Sequence, residues 1–169
     1  MKVLVIPSAL LAAVTVMAAC SHAASQTDLP PSLALVTGGK WTANIKPVMQ
    51  DRLNHPDSTG GRNFGTLEWV PGKTPTTSTA FISFTSALTE NDLSWGILFG
   101  SCNSASLPVE PISNFPEIDV RTNGGRGHAS VSLSIELPKT GQYHVDVYSD
   151  RQGSVESVIG CGNLRHSTR

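Results

Sequence analysis

From Ala129 to Leu137 apolar and polar residues alternate without a break: Ala129, Val131, Leu133, Ile135 and Leu137 against Ser130, Ser132, Ser134 and Glu136. Successive side chains of a strand point to opposite faces, so this period of two predicts a strand with one buried face and one wet face. Tyr143 to Tyr148 alternates likewise, and Pro138-Lys139-Thr140-Gly141 between the two runs carries turn residues, which predicts a hairpin. Trp41 to Ile45, Thr66 to Val70, Ala80 to Phe84, Leu93 to Phe99 and Val155 to Cys161 are further short β-rich runs, with a weaker one at Ile118 to Arg121. No stretch sustains a helical period. Seven to eight short strands parted by turn residues predict an all-β fold, an antiparallel Greek-key sandwich or barrel. Lys46 to Arg62, with Pro47, Pro56, Asp57 and Gly60-Gly61, is expected as a long irregular connection.

The start of the chain is patterned differently. Lys2 precedes an apolar run from Val3 to Ala19 broken only by Pro7, Ser8 and Thr15, the charged start and hydrophobic middle of an export signal. A membrane-spanning helix is the rival reading, because the run reaches the lower limit of about 17 residues for crossing a bilayer. Small residues at its end favour cleavage, and Met17-Ala18-Ala19-Cys20 resembles the bacterial lipobox, in which the cysteine takes a thioether lipid and the chain is cut before it. Ser21-His22-Ala23 offers ordinary signal peptidase a competing cut that would discard Cys20. The expected organisation is a signal peptide at 1–19, a flexible tether rich in Ser, Ala, Thr and Pro at 20–36, one β-sandwich domain at 37–165 and a tail at 166–169. Cys20 is the expected lipid attachment, each buried acyl methylene contributing about 0.8 kcal/mol to membrane anchoring. The domain is then extracytoplasmic and held on the cell envelope. Ser21 after the lipidated cysteine favours, by resemblance to other lipoproteins, the periplasmic face of an outer membrane in a Gram-negative envelope.

Charge removes one class of partner. Twelve basic and thirteen acidic residues give a net charge of −1, and the basic ones are scattered, so no nucleic-acid footprint exists. Of the three cysteines, Cys20 is assigned to lipid, leaving Cys102 and Cys161 as an even pair suited to a disulfide in an oxidising compartment; two free buried thiols are the alternative.

Trp95-Gly96-Ile97-Leu98-Phe99-Gly100-Ser101-Cys102, taken with Cys161-Gly162-Asn163-Leu164, resembles the copper/zinc superoxide dismutase family. In that family a strand of aromatic, His, aliphatic and His leads to a Gly and a Cys, which is bridged to a Cys in a C-terminal Ala-Cys-Gly strand. Trp95, Ile97, Gly100, Cys102, Cys161 and Gly162 stand at similar places, with a slightly shorter spacing before Gly100. The two copper ligands of the first strand fall on Gly96 and Leu98, a third falls on Tyr148, and Asn103 to Arg126 holds no His where the family's loop supplies several. Over roughly residues 37 to 165 the resemblance thus implies a superoxide dismutase-like or Ig-like sandwich that has lost its metal ligands. The same arrangement is also similar to bacterial domains related to the chordin repeat, which implies the same fold.

Five histidines remain to be placed. His22 lies in the tether, His166 in the tail, His55 in the irregular connection and His128 in an expected turn. His144 falls opposite Tyr143, Val145 and Val147 on its strand and is expected to face solvent with Asp146; a His-x-Asp pair could supply two metal ligands, and a polar outer face is the plainer reading. Neither a Gly-x-Ser-x-Gly elbow nor any other nucleophile setting occurs, and Asn123-Gly124-Gly125-Arg126-Gly127 leads into a strand rather than a helix, which makes it a turn. Trp41, Trp69 and Trp95 are expected in the core with their indole nitrogens hydrogen-bonded, and the Pro-rich segment Leu107 to Pro116 is the expected binding surface, if there is one. The resulting expectation is a non-enzymatic, lipid-anchored envelope protein, a structural or interaction module with no catalytic, cofactor or metal residues. Its partners would be the membrane through its anchor and an envelope protein or small ligand. The alternative is a copper- or zinc-binding or redox protein with a relocated site around His128 and His144.

Overall fold

The computed structural model describes residues 39–48, 63–86, 88, 92–121 and 125–168. The signal run, Cys20, the tether, His22, His55 and the connection from 49 to 62 lie outside the described residues. The domain is all-β: β1 (Lys40–Pro47), β2 (Phe64–Pro71), β3 (Ser78–Thr85), β4 (Ser94–Phe99), β5 (Arg126–Leu133), β6 (Tyr143–Tyr148), β7 (Val158–Asn163) and β8 (Arg165–Ser167). Every pairing between them is antiparallel, in the order β4-β6-β7-β1-β2-β3-β5, with β8 added on β1. Among the described residues no helix is long and apolar enough to cross a membrane.

The sheet curls because β1 belongs to two halves at once. Trp41 to Ile45 pair with β2, while Lys46 and Pro47 pair with β7. Inward residues of the first half, Ile45, Trp69, Ile82 and Phe84, and of the second, Trp95, Ile97, Val145 and Val147, are all within 2% of complete burial and form one sandwich-like core. Period-two alternation is what allows it: β1 reads half-buried and exposed at Thr42 and Asn44 but buried at Trp41, Ala43 and Ile45.

The hairpin expected between Ala129–Leu137 and Tyr143–Tyr148 does not form. β5 ends at Leu133 and pairs with β3, whereas β6 lies between β4 and β7. A strand has two hydrogen-bonding edges, and both of β6's are taken. Residues 134–142 instead cross from one half of the sheet to the other, pinned where the Trp41 indole donates to the Pro138 carbonyl at 2.6 Å. Other differences are smaller. Ile118 makes a single bridge to Leu93 rather than a strand, Val155 to Ser157 is a 3-10 turn, and His166 and Ser167, expected in a tail, pair with Trp41 and Lys40 as part of β8.

The segment from Gly100 to Arg121 seals the gap between the two outermost strands. It runs back along β4, with Phe99 donating to Leu107 and Val109 to Ile97 (3.0 and 2.8 Å), so the edge of β4 is not left open. At β5 the Ser134 amide donates to the Glu110 carboxylate at 2.8 Å, and a Cβ on Gly127 would come within 2.5 Å of the Asp119 carbonyl.

The turn after β6 is organised by Asp150. Its carboxylate accepts from the Gly153 amide at 2.8 Å and the Ser154 hydroxyl at 2.6 Å. Burial pushes its pKa up, but hydrogen bonds from Ser154 and Ser157 and from the Gly153 and Ser154 amides outweigh it and hold the group below its ordinary 3.8. A depressed carboxylate stabilises the fold above its unfolded value and ceases to do so as pH falls through its folded one. Asp150→Asn is therefore expected to be less stable than wild type at pH 6, the gap closing below pH 3.8; urea midpoints across that range that keep a constant gap would refute this.

Candidate functional site

Cys102 and Cys161 stand at disulfide distance, with sulfurs 2.01 Å and Cα atoms 6.0 Å apart. Cys161 is on β7; Cys102 sits in the turn after β4, where Gly100 (φ 86°) and Asn103 (φ 70°) both adopt the left-handed backbone a tight reversal requires. The Cys102 amide donates to the Asn163 side chain at 2.8 Å, tying the turn to β7 a second time.

Strand register then places two chemically capable groups beside this bridge. Asp146 is directly opposite Cys161 across the β6–β7 pairing, and His144, two residues away on the same face, is opposite Asn163. His144, Asp146 and Cys161 bring ligand-type atoms within 4.8 Å of one another. On the other side of β6, Gly96 faces Asp146 and Leu98 faces His144. A Cβ on Gly96 would meet Ile112 Cδ1, the tip of a side chain that folds over it from the sealing segment.

His144 is thus not solvent-facing. It is 0% exposed, because the face expected to be wet is covered by the disulfide turn and the sealing segment, leaving β6 buried on both sides. Neither of its ring nitrogens has a hydrogen-bond partner among the described residues, nor does Asp146 Oδ1, although His144 Nε2 lies 3.5 Å from Asp146 Oδ2. Tyr148 shares this face at 2% exposure; burial first, then the Asp146 and Asp150 carboxylates, push its hydroxyl above the ordinary tyrosine range.

The remaining expected residues are dispersed. His128 is in β5 rather than in a turn and is exposed on the outer sheet face opposite Ser83, so it is not part of the cluster. His166 packs its ring 4.8 Å from that of Trp41. Trp41 and Trp95 donate to the Pro138 and Pro116 carbonyls (2.6 and 2.7 Å), but Trp69 Nε1 is buried without a partner. The Pro-rich segment packs on the Trp95 strand, where Phe115 stacks edge-on against Trp95 at 4.9 Å. The positions that the resemblance assigns to copper ligands, Gly96, Leu98 and Tyr148, supply no imidazole, so that metal set does not fit this chain. What sequence reasoning missed is the proximity of Cys161 to His144 and Asp146. The His-x-Asp spacing was the available signal, and it becomes legible only once β6 is known to lie beside β7.

No family model, curated protein or solved structure matches the chain.

Burying two unpartnered ring nitrogens is costly, on the order of 1–3 kcal/mol for an unsatisfied polar group. His144→Leu is expected to leave the oxidised domain as stable as wild type or more so, by up to about 2 kcal/mol, measured by urea unfolding. A loss of stability would mean that the imidazole has a role in packing that leucine cannot fill.

Proposed function

We propose that this chain is a non-enzymatic, lipid-anchored cell-envelope protein, and that its domain is a Greek-key, superoxide dismutase-like sandwich serving as an interaction module. The observation that carries the reading is the Cys102–Cys161 pair, since such bridges persist in oxidising, extracytoplasmic compartments. The signal-like run and the lipobox ending at Cys20 point the same way. A contact surface is available on the outer face of the β1-β2-β3-β5 half, where Phe64 and Phe81 are 48% and 49% exposed among threonines and serines, beside a recess of about 710 Å³. Its mixture of aromatic and hydroxyl groups suits an envelope protein or a small polar ligand.

Labelled palmitate fed to bacteria expressing the full chain tests the anchor. Incorporation by wild type, absent from Cys20→Ser and accompanied by release of that variant from membranes, is the expected result. A mature chain starting at Ala24, unlabelled and soluble, would show ordinary secretion instead.

A further inference from the structure

We propose that Cys102, Cys161, His144 and Asp146 form a closed, four-coordinate site for a zinc-type divalent cation once the disulfide is reduced. Disulfide and metal are then alternative states of the same four side chains. The inference does not depend on the envelope reading.

The donor set is the first support. Two thiolates, an imidazole and a carboxylate are the ligand types zinc takes, and four protein ligands make a structural rather than a catalytic site. Geometry is the second. With metal bonds of about 2.0–2.3 Å, ligand atoms around a tetrahedral ion lie roughly 3.3–3.8 Å apart. The His144, Asp146 and Cys161 atoms, already within 4.8 Å of one another, need to close by only about 1 Å. Cys102 is held beside the cluster by its bond to Cys161 but lies outside the group whose atoms are within 4.8 Å of one another. After reduction its sulfur has to part from that of Cys161 by roughly 1.5–2 Å and swing toward His144 and Asp146, a movement asked of a half-buried turn residue.

The third support is that the oxidised protein leaves this set unfinished. His144 is fully buried with both ring nitrogens unpartnered, and a partly buried carboxylate, Asp146, keeps one oxygen unpaired beside it. Buried polar groups are nearly always satisfied, so orphaned groups whose ligand atoms lie within 4.8 Å of one another and of a sulfur suggest a missing partner. A cation at their centre would satisfy one His144 nitrogen and an Asp146 oxygen at once. The antiparallel register makes the arrangement stiff, because His144, Asp146 and Cys161 all stand on adjacent, paired strands.

The chemistry balances in two steps. A two-electron reductant, such as a dithiol, opens the bridge: the dithiol becomes a cyclic disulfide while its two protons and two electrons convert Cys102–S–S–Cys161 into two thiols. Binding of a divalent cation then displaces the two thiol protons to solvent, leaving two thiolates on the metal. Reoxidation by a disulfide oxidant removes two electrons from the thiolates and expels the ion.

The test uses the full-length chain carrying Cys20→Ser, in mild detergent, reduced with a dithiol that is then removed under nitrogen. Expected for the reduced chain is one zinc per molecule, and with Co²⁺ the intense visible and thiolate-to-metal absorption of a tetrahedral site with sulfur ligands. The oxidised chain should bind at least about 100-fold more weakly. His144→Leu and Asp146→Asn should each weaken binding by about tenfold or more, while His128→Ala leaves it unchanged. Near-UV circular dichroism follows folding: a reduced chain that has loosened should recover its spectrum when zinc is added. The proposal is overturned if the reduced chain takes up no zinc, if zinc binding ignores His144 and Asp146, or if zinc leaves a loosened chain unfolded.

Discussion

Trp95→Ala is expected to unfold with about 3–5 kcal/mol less free energy than wild type, the range for truncating a fully buried tryptophan. Trp95 is 0% exposed and joins two parts of the molecule. Its ring fills the core opposite Val147, stacks against Phe115 at 4.9 Å, and donates its indole hydrogen to the Pro116 carbonyl at 2.7 Å. Alanine would leave a cavity and also strip the sealing segment of its anchor, so hydrogen exchange at the Phe99 and Val109 amides, which donate to Leu107 and Ile97, should rise beyond the global change. Trp95→Phe keeps the ring and loses the hydrogen bond, which separates packing from anchoring. A loss under about 1 kcal/mol for alanine would show that the site collapses without penalty.

Removing the bridge should be about as damaging. The cysteines are 59 residues apart, and in the chain-entropy model a loop of that size is worth about 4 kcal/mol through restriction of the unfolded chain. Cys102→Ala with Cys161→Ala, compared with wild type in chelator-treated buffer, should therefore lower the urea midpoint and steepen the denaturant slope, because the uncrosslinked chain exposes more surface. An unchanged slope with a lower midpoint would place the effect in the folded state instead.

Strand identity was largely legible in the sequence because it depends on local alternation. Trp41–Ile45, Thr66–Val70, Ala80–Phe84 and Tyr143–Tyr148 all fall inside observed strands. Partner choice was not legible, since it depends on which faces become buried by remote segments. The period of two at Ala129 to Leu137 continues through Leu137, buried outside any strand, so alternation alone could not mark where β5 ends or predict that it pairs with β3. The same limit governed the site. Reading His144 and Asp146 as one face of one strand was right about their side and wrong about water, because the covering groups come from Cys102 and Ile112, far along the chain. The β6 sequence resembles a half-exposed strand; its double burial is a property of the assembled molecule.

The double membership of β1 has a consequence in time. Its residues pair with β2 soon after it in the chain, but also Lys46 with Cys161 and Lys40 with Ser167. A chain emerging from a ribosome presents β1 before the other seven described strands and its partners β7 and β8 after the rest. Long-range pairings of this kind slow folding, since chain entropy is lost before the contacts that offset it are made. Until β7 and β8 arrive, β1 to β3 are a sheet fragment with an open edge and half a core, the kind of intermediate that sticks to others like itself. Of the described strands, the first to be made waits for the last, and throughout that interval its unpaired edge is open to a neighbouring chain.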